Sequence, residues 1–248
     1  MKIWIYPLSA IGLALILIIS CKKSEQKPDN PTNDKTTALF NSQLTYGSLT
    51  DQDGNVYKTI SIGTQTWMAE NLRTTHYSNG DPIPEVTGNT PWIALNTGAY
   101  CNYNNSQNND TIATFGRLYN WHAISDIRNI APIGWHIPSE SEWNQLKLFL
   151  DSDAGGKLKE AGIVHWIVPN TGATNESGFT ALPGGSRLYT DGSYNNIGEM
   201  GEWWSSSQST NFVDNAIVAV LFYNYADGGG SASYNKANGY SVRCVKDN

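Results

Sequence analysis

Basic clusters are missing from this chain, cysteine is rare, and only one stretch is long and apolar; each shortage removes a class of function. Sixteen Lys and Arg stand against 22 Asp and Glu, a formal charge of -6, and the cations are scattered. A nucleic-acid backbone is therefore not an expected partner. The four histidines, His76, His122, His136 and His165, lack the short spacings of a zinc site. His122 falls beside an apolar face, where a hydrogen-bonded core residue is expected rather than a ligand. No Gly-x-Ser-x-Gly elbow is present, and Gly155-Gly156 lacks the strand before it and the Lys-Ser/Thr after it that a phosphate loop needs. Asp51 and Asp53 supply oxygen donors of a calcium loop, but Ile62 occupies the twelfth position where a bidentate Glu belongs. A turn is expected there, and neither metal nor cofactor.

What is present begins with a leader. Lys2 precedes the apolar run Ile11 to Ile19, too short to span a bilayer comfortably and of signal-peptide form, so residues 1–20 are expected to be a signal peptide. The run ends Ile18-Ile19-Ser20-Cys21, which resembles a bacterial lipobox and implies cleavage before Cys21 and its acylation, with palmitate among the acyl chains. Several acyl chains make such an anchor effectively permanent. Residues 22–37 hold almost no apolar side chain, so residues 21–48 are expected to be a lipidated cysteine followed by a flexible stalk. The localisation that follows is the cell envelope, lipid-anchored, at the outer membrane.

Beyond the stalk, 9 Trp, 13 Tyr and 23 Gly point to one loop-rich domain over 49–248, pinned by large aromatic side chains. Ser139 and Glu142 form a capping box that starts a helix, with Trp143, Leu146, Phe149 and Leu150 as its apolar stripe. Phe115, Leu118, Tyr119, His122 and Ala123 predict an earlier helix ending near Ser125. Val56–Ile62 and Thr66–Met68 predict a hairpin around Gly63-Thr64-Gln65. From Asn175 the chain becomes strand-rich. The last strand, Gly239 to Val245, alternates like a half-buried one and is expected to pair with Ala216–Tyr225.

Several ordered segments resemble the Fibrobacter succinogenes major paralogous domain family: Asp53-Gly54-Asn55-Val56-Tyr57, Gly63 to Leu72, Leu118-Tyr119-Asn120-Trp121, Gly134-Trp135-His136-Ile137-Pro138, Gly178 to Gly185, Trp204-Ser205-Ser206 and Ser241 to Val245. The family carries no assigned activity. A more distant similarity runs to the formylglycine-generating enzyme fold, a relative of C-type lectin domains. It rests on Ile137 to Trp143, Gly198 to Trp203 and Ser241-Val242-Arg243. This implies an α+β fold, with two main helices, irregular antiparallel sheet and long loops. Those enzymes need a late pair of cysteines, whereas only Cys244 is late here.

With Cys21 lipidated, Cys101 and Cys244 are an even pair in an exported protein, and a disulfide between them is expected. The resembled family often carries a Cys just before Gly-Trp-His, where Ala131 and Pro132 stand, which leaves a free buried thiol as the alternative. Glu199 and Glu202 form a possible carboxylate pair for glycoside cleavage, although acids so placed are usually solvated or salt-bridged. Ser186 has no His or Asp that the sequence places beside it. Trp135, Arg187, Trp203 and Trp204 are the candidate ligand-binding residues, flat faces and a hydrogen-bonding cation suited to a glycan or a surface protein. Against this, at least two of Trp135, Trp166, Trp203 and Trp204 are expected to fill the core. The expected function is a non-catalytic binding or structural domain on a lipid anchor. The competing expectation is a divergent formylglycine-generating enzyme with a reactive Cys244.

Overall fold

A computed structural model describes residue 1, residues 30–227 and residues 229–247. The leader and Cys21 lie outside the described residues. The chain forms β1 (Gly47–Thr50), β2 (Val56–Ile62), β3 (Gln65–Met68), α1 (Asn89–Ile93), β4 (Tyr100–Cys101), α2 (Asn109–Phe115), β5 (Leu118–Tyr119), α3 (Trp121–Ile124) and β6 (Trp135–His136). There follow α4 (Glu140–Leu150), α5 (Ala154–Leu158), β7 (Gly184–Arg187), β8 (Tyr194–Ile197), β9 (Met200–Gln208), β10 (Asn215–Phe222), β11 (Ser231–Asn235) and β12 (Val245–Lys246). The domain is α+β. Its sheets are antiparallel, in the orders β1-β2-β3-β12-β6, β11-β10-β9, β4-β5 and β7-β8.

The β2–β3 hairpin closes as expected, with Ile62 opposite Gln65 and a two-residue loop whose Gly63 sits at φ 60°. A glycine first in such a loop matches the twist of the flanking strands. The turn before it hangs on Asp51. Its Oδ1 accepts from the N–H groups of Asp53 and Asn55, and its Oδ2 accepts from the Asn55 amide and the Tyr57 hydroxyl. A carboxylate so fully used needs no cation to explain it.

The described interior holds two large apolar clusters, divided by the β11-β10-β9 sheet, and a third, small one. Ala216, Val218 and Val220 of β10 face one cluster with Tyr119, Val242 and Cys244; Ala219 and Leu221 face the other with Trp67, Trp143, Trp166 and Phe179. On β9 the neighbours Trp204 and Trp203 part the same way, one into each cluster, because successive strand side chains point to opposite faces. Both rings are fully buried.

The capping-box helix forms as predicted, with both reciprocal bonds between Ser139 and Glu142 in place. Its stripe is narrower than expected. Trp143, Leu146 and Leu150 are buried, but Phe149 is 62% exposed and lies over Gly63. The expected earlier helix is instead broken into α2, β5 and α3. Gly116 turns the chain at φ 73°, and a Cβ there would stand 2.6 Å from Asn71 Cβ. Leu118 and Tyr119 then pair with Cys101 and Tyr100, and Asn120 caps α3 by accepting from Ala123 N–H.

Three further expectations are corrected. The stretch read as a stalk is docked from Asn30 onward: Thr32 is buried and bonds Asn55, Thr37 meets Thr114, and Leu39 N–H donates to Glu160. Polar composition misled there because residues 30–39 are held by hydrogen bonds, while Phe40, Leu44 and Tyr46 beyond them pack against the second core. The C-terminal stretch does not pair with β10, which takes β9 and β11 as partners. Residues 239–245 are buried on both sides, bridging Arg187, Tyr119 and Trp203 in passing before β12 joins β3 and β6. Cys101 and Cys244 are not bonded to each other. Both are free and buried, Cys101 in a small cluster with Trp92, Ala99 and Leu118, and Cys244 in the first large one.

Candidate functional site: a cleft beside Phe149

The four residues expected to bind ligand do not form a surface. Trp135 is 8% exposed and Arg187, Trp203 and Trp204 are fully buried. Each is committed to the fold. Trp203 Nε1 donates to Asn71 Oδ1 at 2.9 Å and Trp204 Nε1 to Tyr119 O at 2.8 Å. Arg187 donates to the carbonyls of Gly192, Val86 and Thr87 and to Asn89 Oδ1, with its guanidinium 4.5 Å from the Trp92 ring centre. Trp166 is buried as well, its Nε1 on Ala181 O.

The groups that could react are also occupied. Cys244 is fully buried and burial pushes its thiol up; Cys101 is pushed up to about 11 for the same reason. A nucleophilic thiol needs the opposite. Ser186 is buried in β7, within reach of the Asn196 amide. Glu202 is buried and its carboxyl is raised to about 7 by desolvation, against hydrogen bonds from Ser186 and Asn196, while Glu199 is exposed. The two do not face one reacting centre.

Three of the four histidines are tied to carboxylates at separate places. His76 Nδ1 lies 2.6 Å from Asp53 Oδ1, and Asp53 Oδ2 accepts from the Thr75 N–H and the Thr74 and Thr75 hydroxyls. His165 sits between Glu160 and the Thr37 hydroxyl. His136 bridges Asp247 at 2.6 Å and Glu142 at 2.7 Å. Burial lowers the affinity of His136 for its proton, and the two carboxylates more than offset this, so its pKa is raised. His122 is half-buried, its pKa lowered by desolvation and by Lys236. Among the described residues no three His, Cys, Asp or Glu side chains are grouped to hold a metal ion.

A crevice of about 300 Å³ next to His76 is lined by Asp53, Arg73, Thr75 and Arg117, with Asn30 and Thr32 as its outer wall. Its polar groups bind one another. Arg73 donates to Thr32, Asn33 and the Val56 carbonyl and pairs with Glu70, and Arg117 donates to Arg73 O. This crevice is the seam that holds the docked N-terminal segment.

The surface around Phe149 is different. On one side a cleft of about 520 Å³ is lined by Ile62, Gly63, Thr64, Gln65, Gln145 and Phe149; on the other a hollow of about 260 Å³ adds Leu44, Ser61, Glu176 and Ser177. The ring stands exposed between them. Gln145 Nε2 donates to Thr64 Oγ1 at 3.0 Å, which orients an exposed amide at the rim. In the larger cleft an apolar floor, one free aromatic face and a rim of amides and hydroxyls suit a neutral polar ligand, while the smaller hollow adds the exposed carboxylate of Glu176. The sequence did carry a signal: Leu148-Phe149-Leu150 is a run of three, and one helical face cannot bury all three.

The class these features define is an α+β domain with a tryptophan-filled double core and a shallow uncharged cleft. The model of the Fibrobacter succinogenes major domain matches residues 60–246, most of the chain, and the chain belongs to that family. No curated protein and no solved structure matches it.

Proposed function

We propose that the chain is a lipid-anchored protein of the cell envelope, at the outer membrane, whose domain binds rather than reacts, with a glycan as its ligand at the Phe149 cleft. The observation that carries this is the pairing of an exposed aromatic face with neutral hydrogen-bonding groups, while thiols, histidines and Glu202 are buried or engaged elsewhere. The sequence Ile18-Ile19-Ser20-Cys21 supports the anchor. The reading also takes the domain as a variant of the C-type-lectin-like, formylglycine-generating-enzyme-like fold. Its support is the helix starting at Ser139 and the meeting of β9 with Ser241. The enzyme reading would require a reactive Cys244, and a fully buried thiol counts against it.

A glycan array probed with the full chain tests the ligand. Hits that weaken at least about tenfold in Phe149→Ala, the loss of roughly 1.4 kcal/mol or more of contact, support the cleft. An array without hits, or hits indifferent to Phe149, overturns it. Labelling of cells with an alkyne fatty acid tests the anchor, and the signal should vanish in Cys21→Ser.

A further inference from the structure

The loop 163–168, Ile-Val-His-Trp-Ile-Val, is two-sided. Trp166 is 1% exposed in the second core and His165 faces inward to Glu160, whereas Ile163 (61% exposed), Val164 (63%), Ile167 (41%) and Val168 (67%) face out. Ile197 joins them: Ile167 N–H bonds Gly198 O at 3.0 Å, and Ile197 is itself 36% exposed. Five aliphatic side chains thus stand in water on one loop and its neighbour, where single exposed apolar residues would need no explanation.

We propose that this aliphatic loop rests in the surface of the lipid bilayer that holds the anchor, so that the domain is oriented by two contacts rather than hung on one. The inference rests on the lipid-anchored reading above. Three observations point to lipid as the occupant. Eight residues lie between Cys21 and the docked Asn30, and a chain of that length reaches at most about 30 Å, which keeps the body within touching distance of the membrane. From Asn30 the docked segment runs directly to this loop, where Thr37 Oγ1 meets His165 Nε2 at 2.9 Å. The exposed side chains of the loop carry neither charge nor ring, whereas the residues that dominate protein–protein contacts are Trp, Tyr and Arg. Aliphatic groups without a hydrogen-bonding tip suit the boundary of the acyl chains.

The test uses the full lipidated chain carrying Val164→Cys, labelled with an environment-sensitive dye and reconstituted into phosphatidylethanolamine–phosphatidylglycerol vesicles. Cys101 and Cys244 are buried and Cys21 carries the lipid, so mass spectrometry should find one dye per chain. Ile127→Cys, at a fully exposed position on another loop, is the reference. The expected result is a blue-shifted emission at position 164 that brominated lipids quench, and water-like emission at 127. Chains that float with the vesicles yet show water-like emission at 164 overturn the inference and leave the anchor standing. A blue shift that grows with protein density and resists brominated lipid assigns the patch to a second copy and also overturns it. Chains that do not float at all remove the anchor, and the inference falls with it.

Discussion

Arg187 and Arg243 do in this interior what ladder hydrogen bonds do in a regular sheet. Loops buried without strand partners leave carbonyls to be satisfied, and a guanidinium offers five donors in a rigid fork. Arg243 donates to Asn71 Oδ1, to the carbonyls of Met68, Phe179 and Thr180, and stacks 4.2 Å from the Phe179 ring centre. Arg243→Met should therefore strand several buried acceptors and cost at least about 3 kcal/mol in urea unfolding. Arg243→Lys should fall between, since an ammonium cannot reproduce the fork. Glu202 makes the opposite case, a buried acid whose hydrogen-bond partners, Ser186 and Asn196, carry no charge. The folded state holds its proton to about pH 7, while the ordinary carboxyl releases it near 4.5. Between those values the folded state binds more protons, so stability falls as pH rises from about 4.5 to 7 and is level above. The fall is at most roughly 3 kcal/mol, and Glu202→Gln should flatten it and be the more stable protein at pH 8. Neither role was legible in the sequence. Arg187 looks like a surface cation until its acceptors, about 100 residues away at Val86 and Thr87, are known.

Elements were legible where their instructions were local. The Ser139–Glu142 box spans four residues and fixed the start of α4; the β2–β3 hairpin spans thirteen and carries its own turn glycine. The helix expected around Phe115 to Ala123 failed because its break depends on distant partners: Gly116 is pressed against Asn71, and Leu118 against Cys101. The C-terminal stretch failed likewise, since its polar positions Ser241 and Arg243 alternate correctly but point into protein. At the end of that stretch β12 is fastened through His136, which links Asp247 to Glu142 and so to the capping box. A histidine with a raised pKa contributes stability that is fully present below its unfolded value, near 6.5, and is lost as pH rises through the folded one. The side chain is 41% exposed, so the effect belongs to the strand and not to global stability. Protection of the Asp247 amide, which bonds Gly134 O at 3.0 Å, should drop above that pH in hydrogen exchange beyond the intrinsic base-catalysed rate. His136→Phe should show low protection at every pH.

At the scale of the whole molecule, the docked body already includes residues 30–46, before both the expected boundary at 49 and the start of the family match at 60. Residues 30–46 close over buried polar groups that the rest of the domain leaves open. Glu160 is fully buried and takes Leu39 N–H at 2.6 Å besides His165; Asn175 and Asn41 exchange bonds with the carbonyls of Leu39 and Asn175; Arg73 relies on Thr32 and Asn33. A chain starting at Gly47 would leave a buried carboxylate and a buried guanidinium short of partners, at a cost of about 3 kcal/mol or more. For a domain of this size that lowers the melting temperature by roughly 6–12 °C. A chain starting at Asn30 keeps every one of these bonds and should melt with the full-length protein. If the Gly47 chain melted there too, the N-terminal segment would be an appendage, and the short tether that brings the aliphatic loop to the membrane would lengthen by 17 residues and lose its orienting force.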